Sequence, residues 1–326
     1  MAASAESIAI PQSDEQRARR DGFADRLFRR IVAGAGIFVL VTLAGVALTT
    51  LWGGREAFAT FGFKFLASSE WDTVGKQFGA LAPVYGTLVT AAIALIIAVP
   101  VSFGIALYLT EIAPPWLRTP VASAIELLAG IPSIIYGMWG LFVFVPIMGR
   151  YIIPWLNDHV GEWPVIGGLF KGPPLGLGML TAGIVLAIMI IPFISSVMRE
   201  VFLTVPTRLK ESAYALGSTT WEVAWDIVLP YTRTAVIGGI FLGLGRALGE
   251  TMAVTFVLGN VHRLSLSLLE PGNSIAATIA NEFAEADSEI FRSSLIALAF
   301  LLFVVTFIVL AIAKLMLRQM EKKEGK

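Results

Sequence analysis

Apolar positions along this chain come in long blocks rather than in the short alternation of a sheet. Six charge-poor apolar segments cover about residues 31–52, 81–110, 120–146, 177–201, 234–259 and 293–317, with polar stretches between them. A hydrocarbon core about 30 Å thick takes roughly 20 helical residues to cross, and each block is that long. Without water at that depth a backbone must satisfy its own hydrogen bonds, so each block predicts a helix. Pro100, Pro132 and Pro192 fall inside blocks and predict kinks. The first block follows an Arg-rich stretch, as a secretory signal would, but it is too long and has no convincing cleavage site. It is read as a retained span. Residues 1–30 are polar and basic without a periodic apolar face, the pattern of a cytoplasmic tail lacking regular structure; residues 318–326 form a second cytoplasmic tail.

Composition agrees with a membrane solvent. The chain has 326 residues, 56% hydrophobic and 15% charged, with a mean hydropathy of +0.77; soluble domains carry about one quarter charged residues. A net charge of zero argues against a nucleic-acid partner. There is no cysteine, and His159 and His262 form no HExxH pair, so neither disulfides nor a metal site are expected. Sixteen of the 24 Lys and Arg residues fall in the two tails and the second-to-third and fourth-to-fifth connections. Seven fall in the other three connections, and the last is Arg246. The positive-inside rule then places both termini in the cytoplasm, as an even number of spans also requires. The expected fold is an all-α integral membrane protein of six transmembrane helices.

Arg246 and Glu250 are the only ionisable residues between Thr234 and Val261. A charge at mid-bilayer costs at least about 2.5–3.5 kcal/mol, which makes such residues functional candidates. They stand at i and i+4 and could neutralise each other, although acid before base is the better helical order. On a continuous helix Gly239, Gly243, Arg246, Gly249, Glu250 and Ala253 share one stripe, opposite Phe241, Leu244, Leu248 and Met252. Small residues there let a neighbouring helix or a solute come close. Guanidinium binds an oxyanion with a planar fork of donors. A nearby carboxylate fits best if the solute has its own O–H, as hydrogen phosphate does and sulfate does not. Thr251 next to Glu250 joins the pathway candidates. So do Glu126 and Tyr136 in ELLAGIPSIIYGMWG, where Gly130, Pro132 and Gly137 could open a helix. An interfacial or paired carboxylate is the plainer reading of Glu126.

The connection spanning 204–231 reads as a short helix–turn–helix. Helix formers fill 210–216, Gly217 can stop them in a left-handed conformation, and Ser218 or Thr219 can cap a second helix. Trp221, Val223, Ala224, Ile227 and Val228 make its apolar face, and Pro230 closes the unit. The spacing Glu211-Ser-Ala213, three residues, Gly217, nine residues, Ile227-x-Leu229-Pro230 resembles the EAA loop of importer-type ABC permeases, with Ser212 for the usual alanine. That resemblance implies a type I ABC importer permease fold. It also implies that Glu211, Ala213, Gly217, Leu229 and Pro230 couple to a separate ATP-hydrolysing subunit by helix-in-groove docking. The chain itself has no GxxxxGK[ST] stretch, so ATP and Mg belong to that partner and no cofactor is expected here.

Together with GLGRALGETMAVTFVLGN, these stretches resemble the PstC-type permease family of bacterial phosphate-specific ABC importers. The resemblance implies a multi-pass inner-membrane protein acting with a PstA-type sister permease, two PstB-type ATPases and an extracytoplasmic PstS-type phosphate-binding protein. It also implies a role for Arg246 and Glu250 in phosphate passage. Molybdate or sulfate as cargo, or a phosphate-sensing subunit, are the alternatives. An intramembrane enzyme would need a nucleophile with a base, or a metal cluster, at depth, and no histidine or cysteine lies in a span. The loops KFLASSEWDTVGKQFGAL and NEFAEADSEIF read equally as solvated faces or as docking sites for the binding protein.

Overall fold

The computed structural model describes residues 12–323, and the chain divides into two units between Trp52 and Gly53. The first is built on α1 (Gln12–Gly53), a single helix. The tail expected over 1–30 is therefore helical from Gln12 onward, and residues 1–11 lie outside the described residues. The stretch is rich in Gln, Glu, Arg and Ala, and a helix already formed in the apolar block gains a hydrogen bond for each residue it adds.

The second unit opens with α2 (Arg55–Phe61), α3 (Lys64–Ala67) and a small antiparallel hairpin. Its strands are β1 (Trp71–Asp72) and β2 (Gln77–Phe78), with Trp71 opposite Phe78. Then come α4 (Leu81–Leu107), α5 (Pro115–Ala129), α6 (Ser133–Trp139), α7 (Val145–Ile147) and α8 (Ile153–His159). They are followed by α9 (Met179–Leu203), α10 (Thr207–Ala215), α11 (Thr220–Glu222) and α12 (Leu229–Leu248). The chain continues through α13 (Met252–Leu258) and α14 (Ile275–Glu282) to α15 (Glu289–Lys323).

Among the described residues, six helical stretches are long and apolar enough to cross a membrane: Asp25–Gly53, Leu81–Ile112, Ser133–His159, Met179–Leu203, Thr220–Leu248 and Glu289–Gln319. Four match the expected blocks to within a few residues. The third shifts from 120–146 to Ser133–His159, because the chain breaks at Gly130–Pro132, where Pro132 is extended (φ −57°, ψ 136°). Proline also disfavours helix at the residue before it. The fifth shifts from 234–259 to Thr220–Leu248, and its far end is broken. The helices run on through Pro100 and Pro192.

Proline is accommodated in a consistent way. π-helical turns cover Tyr108–Ile112, Gly140–Phe144, Met148–Ile152 and Val223–Val228. Two residues after each comes a proline: Pro114, Pro146, Pro154 and Pro230. A proline has no N–H for the carbonyl one turn back, and a locally widened turn re-pairs the backbone where no water can. This is why Pro230 does not close the loop unit as expected: it sits inside a helix that continues into the fifth span.

The main core is organised on α9, where Leu186, Ile190, Ile194 and Met198 are fully enclosed. Small residues let α4 approach: Ala91, Ala94 and Ala98 are buried, and a Cβ on Gly183 would lie 2.5 Å from Ile93. Ser102 Oγ donates to Ile191 O at 3.1 Å. A second cluster joins α2, α3 and β2 to α15 through Phe65, Phe78, Phe291 and Leu295. The segment after α13 folds back onto this frame. Leu180 N donates to Leu268 O, and Ile275 N to Thr87 Oγ1.

Candidate substrate pathway and coupling loop

The helix carrying Arg246 ends two residues later. Gly249 (φ −93°, ψ 4°) closes α12, Glu250 and Thr251 are non-helical, and α13 starts at Met252. The i, i+4 geometry expected of Arg246 and Glu250 is thus corrected: they flank a break. Gly245 and Gly249 weaken the helix there. Each charge also gains from the break. Arg246 lies in the last turn of α12, where a cation faces unpaired carbonyls, a placement worth about 0.3–1 kcal/mol. Glu250 Oε1 accepts from Ala253 N at 3.1 Å, pairing an N–H that the first turn of α13 leaves open. Among the described residues no ion pair joins the two side chains.

The small-residue stripe divides accordingly. Gly239 and Gly243 are buried against α9, where added Cβ atoms would lie 2.9 Å from Val197 and 2.5 Å from Ile194. Of the bulky side, Leu248 is buried and Met252 exposed. Arg246 is exposed and lies over the Phe193 ring of α9, 5.8 Å from its centroid. Such a contact stabilises a cation by about 0.5–2 kcal/mol and leaves the guanidinium N–H groups free to donate.

The break at Gly130–Pro132 lies beside this one in the fold. α6 packs on α13 through Gly137, whose added Cβ would fall 2.8 Å from Phe256, 2.9 Å from Met252 O and 3.0 Å from Ala253 Cα. Tyr136, on the same short helix, lies within electrostatic reach of Arg246 and donates its hydroxyl to Leu128 O at 2.9 Å, bridging the break. The structure thus brings Arg246, Glu250, Thr251 and Tyr136 into one region of two broken helices. Glu126 is placed elsewhere. It is exposed on α5 and lines a small pocket with Arg199, Ser195 and Ser196. Phe193 was not anticipated, since an aromatic in an apolar block carries no signal of its neighbour.

The connection spanning 204–231 forms as the spacing requires. Gly217 has φ +92°, a conformation that a β-carbon opposes. Ser218 N donates to Ala213 O and Gly217 N to Tyr214 O, the paired bonds of a Schellman stop. Thr219 and Glu222 form a reciprocal capping box. Val223, Ala224 and Val228 are buried as expected, whereas Trp221 is exposed and meets Trp225 edge-on. Glu211, Gly217 and Pro230 are exposed, Leu229 is half-buried, and Ala213 packs into the chain's own core.

Residues 98–322 match the family described as "Binding-protein-dependent transport system inner membrane component". The chain is 67% identical over 306 residues to the phosphate transport system permease protein PstC of Xylella fastidiosa (strain 9a5c), covering 94% of each. The chain belongs to the PstC family of binding-protein-dependent transport permeases. Other members include the PstC proteins of Pasteurella multocida, 58% identical with 92% of this chain and 93% of that one covered, and of Mesorhizobium japonicum, 53% identical with 97% of both covered. The fold is that of a bacterial alginate ABC transporter crystallised with an alginate pentasaccharide-bound periplasmic protein. That match has TM-score 0.58 and 17% identity, with 92% of this chain and 97% of that chain covered. The protein is a multi-pass membrane permease.

Proposed function

We propose that this chain is a channel-forming permease subunit that moves inorganic phosphate into the cytoplasm by alternating access, driven by ATP hydrolysed on a partner. The observation that carries this reading is Arg246. It is an exposed guanidinium with no hydrogen-bond partner among the described residues, placed at a helix break in a chain 67% identical to a phosphate transport system permease. The fork of donors takes two oxygens of a phosphate, and the π face of Phe193 holds the fork without competing for its N–H groups. Glu250 accepts the phosphate hydroxyl and keeps the site from binding a fully ionised anion too tightly. Thr251 and Tyr136 border the path.

The exposed face of α10, with Glu211, docks on the ATPase. Gly217, Leu229 and Pro230 set the shape of the loop, and Ala213 anchors it. The assembly comprises this chain, a PstA-type sister permease, two PstB-type ATPases holding ATP and Mg, and a PstS-type binding protein. Both termini face the cytoplasm, in keeping with the distribution of Lys and Arg.

Radiolabelled phosphate uptake, in a strain lacking its own high-affinity system and supplied with the whole set of subunits, tests the assignment of cargo. Uptake is expected to be displaced by unlabelled phosphate and left intact by equal sulfate or molybdate. Displacement by either of those would assign the chain to another oxyanion.

A further inference from the structure

The coupling helix is held to the rest of the chain by a charge pair that the transport reading leaves without a role. Lys210 Nζ lies 2.5 Å from Glu111 Oε1, with side chains only 15% and 6% exposed. Lys210 belongs to α10, immediately before Glu211, while Glu111 belongs to the π turn Tyr108–Ile112 that ends the second membrane helix. The inward side of α10 is made by Lys210 and Ala213, one turn apart. Leu209, Glu211, Ser212, Tyr214 and Leu216 are exposed.

The same π turn is tied onward. Arg118 Nε of α5 donates to Ala113 O at 2.7 Å, just past the turn. α5 leads to the Gly130–Pro132 break, and Tyr136 beyond it bonds back to Leu128 O. A contiguous series of directed contacts therefore runs from the inward side of α10 to the region of Arg246. An exposed ion pair would be too slack to transmit a displacement. A pair withdrawn from water is different, because either charge left alone is strongly disfavoured and the two must move together.

We propose that the Lys210–Glu111 ion pair is the joint that carries displacement of the coupling helix to the second membrane helix and α5, making both residues positioning residues for transport. This rests on the reading of the chain as an ATP-driven permease. The test uses the complete complex with its binding protein in proteoliposomes, measuring phosphate moved and ATP hydrolysed together. Lys210→Met and Glu111→Gln are each expected to lower phosphate moved per ATP by roughly two- to thirtyfold, the span typical of residues that modulate coupling. ATP hydrolysis continues, Lys210→Arg stays near the wild type, and the double variant loses no more than either single one. Three results would overturn the joint: an unchanged ratio in the single variants, losses that multiply in the double variant, or single variants that fail to assemble. A wild-type complex that hydrolyses ATP without moving phosphate would instead overturn the transport reading itself.

Discussion

Replacing Arg246 by glutamine lowers phosphate uptake by about ten- to a hundredfold while the complex still assembles. A hydrogen bond to a charged group contributes about 1.5–3 kcal/mol, and each 1.4 kcal/mol is tenfold. The side chain is exposed and makes no hydrogen bond among the described residues, so its loss leaves no buried group unpaired. A defect in uptake is therefore a defect in handling the anion, and wild-type uptake by Arg246→Gln would remove the residue from the pathway.

Gly137→Ala is expected to disable the permease from the opposite direction, through packing. The new methyl group meets Phe256, the Met252 carbonyl and Ala253 Cα at 2.8–3.0 Å, and two of those three are backbone atoms that cannot swing aside. Overpacking of this kind costs about 1–3 kcal/mol. The strain falls on the contact between α6, which carries Tyr136, and α13, which begins just past Glu250 and Thr251. The expected outcome is a lower midpoint for thermal unfolding of the purified complex together with reduced uptake. Normal stability and normal uptake would mean that the two short helices have slack.

Much of this was legible in the sequence because its causes are local. Hydrophobic length places the six membrane helices. Gly217 and the Thr219–Glu222 pair mark a helix stop and a helix start within a few residues, and both form as their chemistry requires. Arg246 and Glu250 stand out because charge in an apolar block is rare. The misplacements share one cause. Gly130 with Pro132, and Arg246 with Glu250, mark both breaks, but each lies within a longer apolar block, and the third and fifth spans follow the block's hydrophobicity rather than its break. Pro230 and Pro146 resemble stops, yet each follows a π turn that lets the helix continue. Gly249 carried the opposite information: within an apolar block it read as a packing residue, and it closes α12. The contacts Arg246–Phe193 and Lys210–Glu111 join residues far apart in sequence, and only the packing of α9 and α10 brings them together.

The break at Gly249–Thr251 is the feature on which the proposed pathway depends, and the absence of cysteine from the chain makes it directly measurable. A single Thr251→Cys variant in the assembled complex can be labelled with a water-soluble thiol reagent, with and without phosphate during turnover. The expected result is labelling from the aqueous phase that phosphate slows and sulfate does not. A thiol at 251 that never reacts, or that reacts at the same rate with phosphate present, would contradict a substrate path through the broken helix.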